Sequence, residues 1–180
     1  MRIEMRLIFL LFFIGFSCTA TAQESYKLSP ESILTISGTS TVSDWEVTAN
    51  SIKGSMTGSD EVINDLKIEV PVAEIKSERG ATMDDKMYAA LKEEEHPMIS
   101  FTLNESVKKD IIGGMLIIAG VEKEIQITRA LGRDEGKMGI SGVYDILLKD
   151  YGIEPPTAMF GQIVVGEAVT VTFDLTFQRD

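Results

Sequence analysis

The chain carries one histidine, His96, so a catalytic triad or an imidazole-centred metal site would have to use it. His96 stands between Glu95 and Pro97, where a helical pattern gives way to a strand pattern. Nucleophilic catalysis needs a base that a third group orients, and nothing in the surrounding sequence marks one. The run Gly139-Ile140-Ser141-Gly142-Val143 approaches a nucleophile elbow but lacks the final glycine and sits inside an alternating strand pattern. Asp84-Asp85 and Glu93-Glu94-Glu95 are carboxylates that could hold a hard cation or act as an acid and base pair. They lack the spacing and mid-loop glycine of a calcium loop, and adjacent helical residues point in different directions, so they read as solvated helix ends. No zinc motif, phosphate-binding glycine loop or cofactor fingerprint is present. These observations predict a protein that performs no chemistry, with no metal and no cofactor.

The first residues supply an address. MRIEMR is followed by the apolar run from Leu7 to Phe16 and then by small and polar residues ending in Ala20-Thr21-Ala22, the layout of a secretory signal peptide. The run covers only about half of the roughly 20 residues that a membrane-spanning helix needs. Cleavage is expected after Ala22, leaving residues 23–180 as one domain in the periplasm or secreted. Cys18, the one cysteine, falls within the removed segment. The formal charge of −11 becomes −12 without Arg2, Arg6 and Glu4. An acidic surface repels phosphate backbones, which excludes nucleic acid as a partner and disfavours anionic membrane surfaces.

The remaining pattern has period 2. Trp45, Val47 and Ala49 alternate with polar residues, as do Leu66, Ile68, Val70 and Val72, then Ile99, Phe101 and Leu103, and later Met138, Ile140, Gly142, Tyr144, Ile146 and Leu148. The last such run is Val169, Val171, Phe173, Leu175 and Phe177. With Ile33–Ser37, Ile52–Met56 and a pair of strands at Met115–Ala119 and Glu124–Thr128 around residues 120–123, about eight to ten strands are expected. Gly113-Gly114, Gly54, Gly58 and the Gly132–Gly136 segment read as turns or bends. One segment, TMDDKMYAALKEEE, follows helical periodicity instead: Met83, Met87, Ala90 and Leu91 share a face, and Thr82 with Asp85 reads as a capping box. The stretch from Lys149 to Gln162 is too apolar for a solvated loop, with Tyr151, Ile153, Met159 and Phe160, and should pack over an end of the β-structure as a plug or a lid.

Long alternating strands bury one face and must manage their edges, which a closed antiparallel barrel does. Eight strands enclose either a side-chain-filled core or room for one small ligand. The inward set is aliphatic, Met-containing and aromatic, and no charge appears in its register. Periodicity leaves both outcomes open.

Five segments in order resemble the YceI-like family of secreted lipid-binding barrels. They are GTSTVSDWEV with the following Gly54 and Met56, DLKIEVPVAEIKS, MDDKMYAALK leading into HPMISF, GMLIIAGVEKEIQI, and LKDYGIEPPTAMFGQIVVGEAVTVTFDLTF. The resemblance implies a lipocalin-like antiparallel β-barrel with one short α-helix between strands. It also implies a pocket for a polyisoprenoid, fatty acid, fatty amide or similar amphiphile. By position it makes Trp45, Val47, Met56, Ile68, Val70, Phe101, Leu103, Leu116, Ile118, Ile140, Tyr144, Ile146, Val171, Phe173 and Leu175 the candidate pocket residues. Where many members have an Arg-Asp pair before the helix and a His-Ser near the first strands, this chain has Gly80-Ala81 before Thr82 and Ser43-Asp44 before Trp45. Polar recognition by those family groups therefore does not carry over. Many members also have an aromatic residue where His96 stands. The expected function is non-enzymatic carriage of an apolar or amphiphilic small molecule, by a protein without a stable membrane span; a homodimer is compatible with the sequence. The competing reading is a structural or protein-interaction module with a filled barrel.

Overall fold

A computed structural model describes residues 24–58, 62–105, 110–134 and 136–180. The segment read as a signal peptide lies outside them. Twelve antiparallel strands follow one another: β1 (Glu24–Leu28), β2 (Ile33–Ser40), β3 (Trp45–Ala49), β4 (Lys53–Gly58), β5 (Ile63–Pro71), β6 (Ile75–Ser77), β7 (Met98–Leu103), β8 (Ile111–Ile118), β9 (Val121–Asp134), β10 (Lys137–Leu147), β11 (Thr157–Ala158) and β12 (Ile163–Arg179). Among the described residues one α-helix, α1 (Ala81–Ala90), lies between β6 and β7, and a 3-10 turn, Leu148–Tyr151, follows β10.

Eight strands close on themselves in the order β1-β4-β5-β7-β8-β9-β10-β12, with β12 pairing back to β1. This is the antiparallel barrel with one helix that the alternation and the resemblance predict. β12 is long enough to serve two partners along one edge. Its end pairs with β1 through Phe177–Arg179, and its middle pairs with β2 through Val165–Asp174, past a bulge between Val165 and Val169. β2, β3 and β6 continue the wall at that level, and α1 stands against β6 where the ladder stops. The barrel thus has one end closed by strand pairing and another bordered by a helix and loops.

The strand count exceeds the sequence expectation because β1, β6 and β11 are too short or too polar to show alternation. Gly113-Gly114 is no turn: both residues lie within β8, and a Cβ at Gly114 would collide with the Phe101 ring that covers it. The β8–β9 turn is the two residues Ala119-Gly120, both at positive φ (49° and 78°), instead of a four-residue loop. That is the mirror-image turn geometry whose twist suits a tight hairpin. β9 runs on past Thr128 to Asp134 and carries Arg129 inward in step with Ile125 and Ile127, so the interior does hold one buried charge.

α1 begins differently from the capping-box expectation. Gly80, at φ 91°, occupies the cap position without a side-chain bond, and Thr82 is already helical. Asp84 is buried, 7% exposed, and accepts the backbone N–H of Ser77 at 2.8 Å, tying the first helical turn to the end of β6. A carboxylate that reads as a solvated helix end is therefore an internal brace. Glu93–Glu95 follow in the turns after the helix.

Candidate functional site

Two groups of side chains fill the barrel at different heights. Near the closed end, Tyr26, Met56, Ile63, Leu103, Met138 and Phe177 form a dense plug in which Phe177 is 0% exposed and Met56 1%. Tyr26 donates from its hydroxyl to Glu24 Oε2 at 2.5 Å, and Arg179 pairs with the same oxygen, fastening β1 to β12 across the closure. The hydroxyl bond holds the Glu24 carboxyl below its usual range.

Above the plug the barrel encloses a cavity of about 280 Å³. Its floor includes Leu66, Ile112, Ile140 and Leu175, which also belong to the packed core beneath. Its walls come from nearly every strand, and α1 contributes Met83, Met87, Ala90 and Leu91, the four residues whose helical spacing places them on one face. All of the candidate pocket residues line it except Met56 and Leu103, which sit in the plug. Sequence reasoning did not assign to the pocket Leu34 and Ile36 on β2, Ile125 and Ile127 on β9, or the helix face that it had identified, all of which show periodicity in the sequence. It also passed over Arg79 and Lys86, for which no pattern gives a signal.

Three aromatic rings on the wall lie across glycines of a neighbouring strand: Phe101 over Gly114, Phe173 over Gly142 and Trp45 over Gly38. A Cβ at Gly142 would stand 2.7 Å from Phe173 Cζ, and one at Gly38 would stand 2.8 Å from Trp45 Cε2. The missing side chains let the rings lie down along the wall, a cross-strand arrangement that also compensates for glycine within a strand. Trp45 is held there by donating its Nε1–H to the Thr39 carbonyl at 2.9 Å.

The open end is bordered by a ring of hydrogen bonds. Lys86 on α1 donates to the Thr157 carbonyl at 2.8 Å. Beyond the β11–β12 turn, the Thr41 hydroxyl donates to the Gln162 carbonyl and accepts the Val164 N–H, both at 3.2 Å. Arg79, just before α1, donates from one terminal nitrogen to Ser43 Oγ at 2.8 Å and to the Asp44 carbonyl at 2.9 Å. Helix, β11–β12 hairpin and β2–β3 turn are thus linked around the mouth.

The Lys149–Gln162 stretch divides in two. Tyr151 and Ile153 are buried, and Ile153, Pro156 and Thr157 reach the cavity. Met159 and Phe160 instead point to solvent, 65% and 108% exposed, on a turn where both have positive φ. The expectation that all four apolar side chains pack over the barrel is corrected at these two. Burial pushes the Tyr151 hydroxyl up to about 12, and no group among the described residues bonds it. Burial likewise raises Tyr144, which lines the cavity.

The other chemistry-bearing residues lie elsewhere. The His96 ring packs over Gly120 at the β8–β9 turn, where a Cβ would strike it. Ser141 is an ordinary residue of β10, paired with Asp174 and Ala130. Among the described residues no group of three or more His, Cys, Asp or Glu is placed to hold a metal ion, and no helix is long and apolar enough to cross a membrane.

Comparison with solved structures gives the same architecture at low sequence identity. The fold matches a polyisoprenoid-binding domain from Saccharophagus degradans, implicated in plant cell wall breakdown, with TM-score 0.73 and 12% identity over 88% of this chain and 100% of that one. It matches Burkholderia cenocepacia BcnA with TM-score 0.67 and 13% identity over 81% and 95% of the two chains. A Campylobacter jejuni YceI protein matches with TM-score 0.60 and 17% identity over 74% and 84%. A search of curated protein sequences found no match. The family model of the YceI-like domain matches residues 22–177, nearly the whole of the barrel and its helix, and the chain belongs to that family.

Proposed function

We propose that this protein binds and carries an apolar or amphiphilic small molecule in its barrel and catalyses no reaction. The carrying observation is the cavity itself. An apolar space of about 280 Å³ leaves its lining without contact partners on one side, which costs dispersion energy that a filled barrel would recover. A filled-barrel interaction module gains nothing from such a void. A hydrocarbon tail removes the cost and contributes about 0.8 kcal/mol per buried methylene, by leaving water for a wall of aliphatic and aromatic side chains. The volume is near the lower end for small-molecule pockets, which suits one chain-like ligand. The Saccharophagus domain of like fold is described as polyisoprenoid-binding, which supports a polyisoprenoid here, and a fatty acid or fatty amide offers the same kind of apolar tail. The leader at residues 1–22 supports export, so that the carrier works in the periplasm or is secreted.

Native mass spectrometry of the purified protein, followed by organic extraction, tests the reading. A stoichiometric lipid-like compound is expected. A ligand-free protein that also fails to take up added polyisoprenoid or fatty acid would overturn it. Val171→Phe, which places a ring in the cavity, should abolish uptake while leaving a folded barrel.

A further inference from the structure

Resting on the carrier reading, the structure carries one step further, to the headgroup. Among the described residues Arg79 and Lys86 are the charged side chains of the cavity lining, and both are cations; no aspartate or glutamate is among them. This is notable in a chain whose formal charge is −11. Both cations stand on the mouth ring, and both are held by neutral acceptors: a serine hydroxyl and two backbone carbonyls. None of the ion pairs among the described residues involves either one. The acidic neighbours are otherwise engaged or do not line the space. Asp84 is turned to the Ser77 N–H, Asp44 meets Arg79 through its carbonyl, and Glu78 and Asp85 stay outside the lining.

A guanidinium has five N–H donors and an ammonium three, so the bonds to the ring leave donors on both groups for a further acceptor. We infer that the mouth is an anion subsite, and that the ligand is an amphiphile with an anionic oxygen headgroup, a carboxylate or a phosphate, seated between Arg79 and Lys86 with its tail in the cavity. A neutral alcohol or amide brings no countercharge to the two cations, of which Arg79 is exposed and Lys86 half-buried. An oxyanion accepts from both in charge-assisted bonds, which are about twice as strong as neutral ones.

The test uses four probes with one tail, hexadecanoate, hexadecyl phosphate, hexadecan-1-ol and hexadecanamide, titrated at about pH 8, where a carboxylic acid of ordinary pKa is ionised. Both anions should bind at least about tenfold tighter than the alcohol and the amide, a difference of about 1.4 kcal/mol. In Arg79→Gln/Lys86→Gln the preference for the anions over the alcohol and the amide should vanish. Lys86→Gln alone should lose part of it and Lys86→Arg should restore it, which keeps the test open should the double variant fold poorly. Tighter binding of the phosphate assigns a phosphorylated lipid; tighter binding of the carboxylate assigns a fatty acid. Equal affinity for all four probes, or a preference that survives the double substitution, overturns the subsite and leaves the carrier reading standing. Failure of all four to bind overturns both.

Discussion

The two ends of this barrel are built from the same kind of strand and do opposite things. At the closed end, Tyr26, Met56, Ile63, Met138 and Phe177 interdigitate until almost no surface remains. At the open end, Ile36, Tyr144, Val171 and Phe173 stand in the same alternating register and face a void. Local conformation is not what differs, since β10 and β12 run through both levels in unbroken register from Lys137↔Gln178 to Leu147↔Ala168. The closure differs. Where β1 bridges β12 and β4, opposite walls are drawn together and side chains meet across the axis. Where β2, β3, β6 and α1 take over, side chains still pack along the wall around Leu116, Ile118, Ile125 and Val169, but they leave a space between them.

If that contrast is right, truncation should be costly at one end and cheap at the other. Phe177→Ala removes a fully buried ring and should destabilise by about 3–5 kcal/mol. Val171→Ala, whose methyls already face a void on one side, should cost only about 1 kcal/mol. Urea unfolding curves of the two variants would measure the gap, and equal costs would mean that the two levels are packed alike.

The glycine–aromatic pairs give a sharper probe of the open end. Gly142→Ala brings a Cβ to 2.7 Å from Phe173 and 2.9 Å from the Thr128 carbonyl, and the carbonyl belongs to the backbone. The ring must therefore swing into the cavity, with a loss of about 1–3 kcal/mol and a weakened grip on a tail ligand. Stability and ligand affinity should fall together; a variant with unchanged affinity would show that Phe173 does not shape the space.

Tyr151 lies between these extremes, buried beside the cavity with a hydroxyl that no described group bonds. Tyr151→Phe should leave stability unchanged or raise it by about 1 kcal/mol, because an unsatisfied polar group disappears. The sign with pH follows from its raised pKa. The neutral phenol favoured by the fold is fully present below the ordinary value of 10, and its stabilising effect is lost as pH climbs from there towards about 12. Spectrophotometric titration should find one tyrosine ionising last, and that step should be missing in the phenylalanine variant.

The smallest effect is expected at the hairpin tip. Met159→Ser and Phe160→Ser alter side chains already in water and should stay within about 0.5 kcal/mol of the parent. A larger loss in thermal unfolding would show that the tip packs on the barrel after all.

Much of this was legible in the residues. Period 2 identified the inward faces of β3, β5, β7, β10 and β12, and the helix face of Met83, Met87, Ala90 and Leu91 was read correctly and found in the cavity wall. Alternation, however, reports only in or out. It carries no information about height along the barrel axis, which is why Met56 and Leu103 appeared equivalent to Ile68 and Phe101 although they lie in the plug. The capping box at Thr82 was a local signal that a nonlocal bond displaced, since Asp84 is drawn to Ser77 at the end of β6. Arg79 and Lys86 gave no signal because a single cation flanked by acids looks like any solvated surface until the turn of β2–β3 and the carbonyl of Thr157 close around it.

By itself, the sequence determined which residues face inward, that their edges must be closed, and that one helix interrupts the strands, because side-chain direction follows from backbone period alone. Whether the inward residues meet or leave a space was decided only by tertiary structure. Side-chain direction says nothing of what stands opposite; here the inward residues beside β1 meet in a plug, while those beside β2, β3 and α1 line a cavity.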